Sequence, residues 1–259
     1  INLAPPLVQS AAYQLVRDRR LGDYSVPEGY GIIAAGNRSQ DKAYCFELAG
    51  PLCNRFIHVE LGAPRIDDWT DWASTAGIDH RIITYLNYAP KHLHLFDTKL
   101  EDKAFPTHRS WAEYCSPLIK DKKLTTIQLH TLVASAVGEG VATECCAFLR
   151  LMDKIDLDDL IEHPEKVKAI VAVDMKFSLI GALVEKIAQH IKDKDQTYIK
   201  KLCEVVQNME MEWLILLFRF LKTSIMATPA EFAKLAKQPG FKNALQTAYP
   251  FLKLPGENN

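Results

Sequence analysis

The sequence predicts an α/β segment at its amino end followed by an all-helical remainder, and three observations carry that reading. Two short apolar runs with strand character, 31–35 and 55–61, both fall in the first third of the chain. From Asp67 onward apolar residues recur at the helical period. The 259 residues also exceed the usual single-domain length of about 100–200, which favours two packed units with a boundary near residue 67.

Taken in order, Pro5-Pro6 suits a helix start, and Leu7, Val8, Ala11, Ala12, Leu15 and Val16 keep the helical period until Gly22 stops it. Residues 24–30, with Pro27-Glu28-Gly29 inside, read as a turn into a strand. Gly31-Ile32-Ile33-Ala34-Ala35 has the length and apolarity of a central strand buried on both faces, and it ends at Gly36-Asn37. A polar loop over 38–42 and a short helical stretch to about Leu52 follow. Arg55-Phe56-Ile57-His58-Val59-Glu60-Leu61 is expected to be a second strand. Two strands alone do not make a stable sheet, so the remaining strands are expected from upstream of residue 1 or from another chain, as in a truncated domain.

Beyond this point the expectation is helical throughout. Asp67-Asp68 is read as the cap of a helix through Trp69 and Trp72, and 79–88 as a helix closed by Pro90. A short helical turn is expected at 91–96. Phe105-Pro106-Thr107 then delivers a helix over 108–120 with Trp111, Tyr114, Cys115 and Leu118 on one face. Segments 125–137, 140–153, 175–190, 195–207, 210–224 and 229–235 complete the series. Gly138-Glu139-Gly140 is a turn between helices, and 153–165, with six acidic residues, is read as an exposed connector. No repeat of fixed period points to a solenoid.

Composition narrows the function classes. With 31 basic and 32 acidic side chains the net charge is −1, so no global field attracts nucleic acid or an anionic membrane, and the basic runs at 120–123 and 200–201 are short. Six cysteines without a C-x-x-C pair indicate neither a zinc site nor a disulfide framework; reduced, mostly buried thiols in a cytoplasmic protein are expected. The first residues lack the pattern of a secretory signal. The most apolar window, 213–221, contains Arg219 and falls far short of the ~20 apolar residues of a membrane span, so it reads as a buried helix.

Three residues stand out as candidates. Asn37 follows the carboxyl end of the first strand, where ligands of open α/β sheets sit, and its amide can orient a water against a terminal phosphate; Gly36-Asn37 can equally be a plain turn. Arg55 opens the second strand, and its fork of donors suits the charge of a transferring phosphoryl group; a surface arginine capping a helix end is the alternative. Arg109 lies at the first turn of a helix, where a cation opposes the helix dipole, with Glu101 or Asp102 as a possible plain partner. His92-x-His94 lacks a third ligand, so a metal is not expected there. No G-x-x-x-x-G-K-[ST] loop occurs.

The order and spacing of these motifs resemble the MoxR-like branch of the AAA+ ATPases. Ile1-Asn2-Leu3-Ala4-Pro5-Pro6 is similar to the stretch that follows the two Walker B acids, and in that family the next helix leads to a β-hairpin, here within 7–30. The strand 32–35 resembles the one bearing sensor 1, with Asn37 as the sensor. Pro51-Leu52-Cys53-Asn54-Arg55-Phe56 resembles the stretch with the trans-acting arginine finger, at Arg55, with Arg38 as competitor. Phe105-Pro106-Thr107-His108-Arg109-Ser110-Trp111 resembles the lid motif, with Arg109 as sensor 2. The match covers about residues 1–150, and the helical tail only in general character.

The resemblance implies the distal edge of an AAA+ α/β nucleotide-binding core over 1–66, a helical lid over 67–124 and a helical C-terminal extension over 125–259. It implies a parent that uses ATP and Mg2+ to remodel a protein client, as a hexameric ring in the cytoplasm, without membrane or nucleic-acid partners. Asn37 and Arg55 would be catalytic, and Arg109 would bind the nucleotide. Walker A and the Walker B acids are missing from the chain, so ATP turnover by this polypeptide alone is not expected. The competing expectation is a non-enzymatic helical protein-interaction module.

Overall fold

The computed structural model describes residues 1–38, 45–95, 103–192, 196–225, 237 and 239–248. The chain is mostly helical, and among the described residues its one sheet is a two-stranded hairpin. It divides into two units, Ile1–Gly62 and a larger one made of Ala63–Phe96 with Asp102–Asn259.

The first unit begins with α1 (Pro6–Asp18), which proline starts and Arg19 ends in a left-handed conformation at φ 56°. The chain then turns through Gly22, at φ 57°, to pair β1 (Arg20–Leu21) with β2 (Tyr24–Ser25) in antiparallel register, Arg20 opposite Ser25 and Leu21 opposite Tyr24. Arg19 secures the hairpin by donating to the carbonyls of Pro27 (2.9 Å) and Tyr30 (2.8 Å). After the hairpin comes α2 (Gly50–Cys53).

The two expected strands are corrected here. Residues 31–38 and 57–65 are neither strand nor helix, and the apolar side chains that should have been buried are open: Ile33 is 97% exposed, Ile57 95% and Leu61 85%. The physical reason is the one foreseen for an isolated pair of strands. An extended segment becomes a strand only when a neighbour completes its ladder, and no described segment of this unit does so. Among the described residues, Leu52 is the one hydrophobic side chain that this unit buries fully.

The second unit is helical: α3 (Ile66–Thr75), α4 (His80–Tyr88), a 3-10 turn (Pro90–His92), a π-helical stretch (Ser110–Cys115) running into α5 (Ser116–Lys120), α6 (Thr126–Val137), α7 (Glu139–Asp153), α8 (Leu157–Glu162), a second 3-10 turn (Pro164–Ala169), α9 (Val173–Lys192), α10 (Gln196–Gln207), α11 (Met211–Ile225) and α12 (Pro239–Ala248). Its terminal signals differ in detail from expectation. Arg65, not an aspartate, occupies the cap of α3; Asp67 and Asp68 sit in its first turn, where a negative charge meets the positive end of the dipole, and Arg65 bonds Asp68 at 3.0 Å. Asp79 caps α4 by accepting from the Arg81 amide. Thr125 and Gln128 close a full capping box on α6.

Within the acidic connector expected at 153–165 lies α8, because Asp156 accepts from the amides of Asp158 and Asp159 and Leu157 and Leu160 find a buried face. The helix expected over 108–120 widens to π geometry in its middle, where the Ser116 amide bonds the Trp111 carbonyl five residues back. The helix expected at 229–235 and part of the loop at 38–42 lie outside the described residues.

Two hydrophobic clusters make the core of this unit. One draws on Trp69, Ile82, Tyr85, Trp111, Val137 and Phe148, and so takes side chains from both sides of residue 124. The other, around Ile180, Leu183, Leu202, Leu217 and Phe241, is built by α8 to α12. A run of ring contacts joins them: Trp111 to Tyr85 (5.7 Å), Tyr85 to Phe148 (5.6 Å), Phe148 to Tyr88 (5.1 Å), Tyr88 to Phe177 (5.7 Å) and Phe177 to Trp213 (5.4 Å). Gly181 on α9 makes the crossing close, since a Cβ there would meet the Met152 methyl and come within 3.1 Å of Thr84 Oγ1.

Candidate functional site

Asn37 follows the unpaired segment 31–36, and its backbone is held from both sides by one side chain. Asn2 Nδ2 donates to the Asn37 carbonyl (2.6 Å) and Asn2 Oδ1 accepts from the Asn37 amide (2.9 Å). The nitrogen of Ile1 reaches the Ala35 carbonyl at 2.5 Å, and the Phe46 amide bonds the Asn2 carbonyl at 2.8 Å. Residues 1–2 and 35–37 therefore run side by side. A Cβ on Gly36 would come within 2.8 Å of Asn2 Oδ1, so this clamp needs the glycine.

Arg55 does not open a strand; it follows α2 directly. Its guanidinium donates to the Pro51 carbonyl (2.5 Å), which caps that short helix, and lies 4.3 Å from the centre of the Tyr13 ring on α1. The same charge helps hold the Asp18 carboxyl below its ordinary value, behind the larger effect of the Arg17 hydrogen bond. Arg38, the competing arginine, pairs with Glu60 at 2.7 Å.

Arg109 belongs to the helical unit. It occupies the turn just before the π-helical stretch, its side chain is 76% exposed, and Glu113 one turn on is a loose partner at 3.7 Å. Glu101 and Asp102, the alternatives considered from sequence, lie outside the described residues. Reciprocal bonds between Thr107 and Ser110 pin the backbone beside it: Thr107 N donates to Ser110 Oγ (2.8 Å) and Ser110 N to Thr107 Oγ1 (3.0 Å). Asn37 and Arg55 thus share the first unit and Arg109 sits in the second, each presented at the surface.

The histidines of the His92-x-His94 pair part company. His92 is buried, with Nδ1 2.6 Å from the Tyr85 hydroxyl and its carbonyl accepting from Trp111 Nε1 (2.8 Å). His94 stacks instead on His108. No group of three or more His, Cys, Asp or Glu side chains suited to a metal occurs among the described residues. All six cysteines are free thiols; burial pushes Cys115 up to about 12 and Cys203 up to about 11, which removes nucleophilic character at neutral pH.

The best organised polar cluster is one that the sequence reading treated only as a helix start. Asp79, 6% exposed, takes a bidentate pair of bonds from Arg81 (3.0 and 2.9 Å), while Arg81 also donates to the Ile119 carbonyl (2.6 Å). The Asp79 amide donates to Ser116 Oγ (3.0 Å), which ties α4 to α5. Burial alone would raise the Asp79 carboxyl, but the hydrogen bonds and charge of Arg81 outweigh it and hold the group below its ordinary range. His80 Nε2 lies 3.4 Å from a carboxylate oxygen of Glu185 on α9. The D-x-R spacing at a helix start is the one sequence signal that could have pointed to it, and the cluster reads as a tie between helices.

Comparison of the chain with protein families, with curated proteins and with solved structures finds no match.

Proposed function

We propose that this chain is the carboxyl-terminal portion of a MoxR-like AAA+ ATPase that couples ATP hydrolysis to remodelling of a protein client. The observation that supports the reading best is the bridge from Asn2 to the backbone of Asn37 across the helix and hairpin between them. On this reading residue 1 directly follows the magnesium-holding acids and Asn37 orients the attacking water, so both must meet one nucleotide; the side-by-side run of 1–2 and 35–37 is what that requires. The hairpin after α1 and the open apolar segments around Ile33 and Ile57 also favour it, since the latter have the look of strands awaiting neighbours. In the intact protein Arg109 would contact the γ-phosphate in cis and Arg55 that of the adjoining subunit, within a hexameric ring. The rest of the parent would supply the phosphate loop and the acids that hold Mg2+, and this portion alone would be inactive.

The test is ATP turnover by the intact parent carrying Arg55→Ala or Arg109→Ala. An arginine that stabilises phosphoryl transfer is worth on the order of 10³-fold or more, so each variant should lose at least ~10²-fold in kcat while the ring still assembles. Unchanged turnover in both variants removes the assignments, and a loss in Arg38→Ala but not in Arg55→Ala moves the trans-acting role to Arg38.

A non-enzymatic helical interaction module is the second reading, favoured by the concentration of both hydrophobic clusters in the helical unit. It is the reading left standing if the arginine variants keep full turnover.

A further inference from the structure

We infer that the stacked imidazoles of His94 and His108 form an acid-sensitive latch that fixes the start of the helix carrying Arg109. The two rings lie 5.2 Å apart and within 11° of parallel. Next to the stack, the Leu95 amide donates to the Pro106 carbonyl (3.1 Å), so a ring contact and a backbone bond together hold the segment after the first 3-10 turn against the segment that enters the helix. His108 Nε2 is enclosed without a hydrogen-bond partner, while the Pro64 backbone carbonyl meets the ring on its other side.

This arrangement suits neutral rings. Two uncharged imidazoles stack favourably, whereas two imidazolium ions repel, and the enclosed Nε2 offers an added proton no acceptor. Among the described residues, Arg109 comes next in the chain, Arg65 pairs with Asp68, Glu113 pairs loosely with Arg109 at 3.7 Å, and the positive end of the helix dipole lies at the same place. Burial first, and the neighbouring His94 second, hold His108 below its ordinary value of 6.5. The neutral form is therefore the one the fold prefers. Its contribution is complete above about 6.5 and is lost as the pH falls through the folded value. Mild acid opens the stack and frees the first turn of the Arg109 helix. That this would tune a nucleotide-sensing arginine rests on the ATPase reading; the latch does not.

The experiment uses the 259-residue chain and no nucleotide, so its outcome is separable from that of the turnover test. The histidine ring resonances and the Leu95 amide are followed by NMR from pH 8 to 5 in the native protein and in His94→Phe, which keeps an aromatic ring without a titrating group. In the native protein His108 should titrate below about 6.5, and the Leu95 amide should lose exchange protection over the same range. In His94→Phe the His108 midpoint should move up and the Leu95 amide should stay protected further into acid. His94→Gln, checked for helicity by circular dichroism, should give the same upward shift even if the phenylalanine does not pack. A His108 midpoint that is the same with and without His94, or a Leu95 amide indifferent to pH over this range, overturns the latch.

Discussion

Asp79 and Arg81 show how two adjacent-turn residues can do more for this fold than their exposure to solvent implies. The aspartate caps α4, neutralises a half-buried guanidinium and orients it toward the Ile119 carbonyl, so its loss would strand Arg81 with a charge and no counter-ion. Removing one partner of a buried pair costs about 3–5 kcal/mol, well above the net worth of the pair itself. Asp79→Ala and Arg81→Met are therefore each expected to lower the unfolding free energy by about 3 kcal/mol in a denaturant titration, the second because it leaves the buried Asp79 carboxylate without its counter-ion, and the double variant should cost clearly less than the sum of the two. Additive losses in the double variant would show that the ion pair is not what matters. The pH dependence has a definite sign: the folded carboxyl lies below its ordinary 3.8, so the pair contributes fully above about 4 and fails as the pH falls through the folded value.

At the level of the elements, what the chain announces locally is what its sequence discloses. Thr125 with Gln128 three residues on, Pro90 after Tyr88, and Gly138 at φ 84° between α6 and α7 each act through neighbours in the chain, and each boundary falls within a residue or two of where these signals put it. The misses need partners that local signals do not encode. Residues 31–35 and 57–61 carry strand composition, but a ladder depends on a neighbouring strand. α8 hides in an acidic stretch because its stability comes from two leucines reaching a remote cluster. The candidate residues divide in the same way: Asn37, Arg55 and Arg109 stand out by type and spacing, whereas the Tyr13 ring beneath Arg55 and the His108 ring beside His94 come from distant parts of the chain. Because the capping box is local, its cost should be local too. Thr125→Ala is expected to destabilise by about 1 kcal/mol in thermal or chemical unfolding and to fray only the first turn of α6. A loss of several kcal/mol would mean that Thr125 carries tertiary contacts besides.

Across the whole molecule, burial is distributed unevenly. The helical unit holds both hydrophobic clusters, while the first unit leaves Ile33, Ile57, Val59 and Leu61 open to water. Amide protection should mirror this split. In hydrogen exchange read by mass spectrometry, peptides covering 31–38 and 57–62 should exchange within seconds, and those covering 80–88, 141–152 and 179–187 should persist for hours. Slow exchange at 57–62 in the isolated chain would show that a ladder forms there after all, for instance between copies.

The wide turn at Ser110–Cys115 absorbs one residue within its helix. Each of its bonds spans one residue more than an α-turn would, so the stretch holds a single surplus residue between two regular helical ends. Bulging outward spares every side chain after Cys115 a rotation of about 100° away from its packing partners. Trp111 and Cys115 stay buried at the two sides of the bulge, so the extra residue costs neither of them its place in the core.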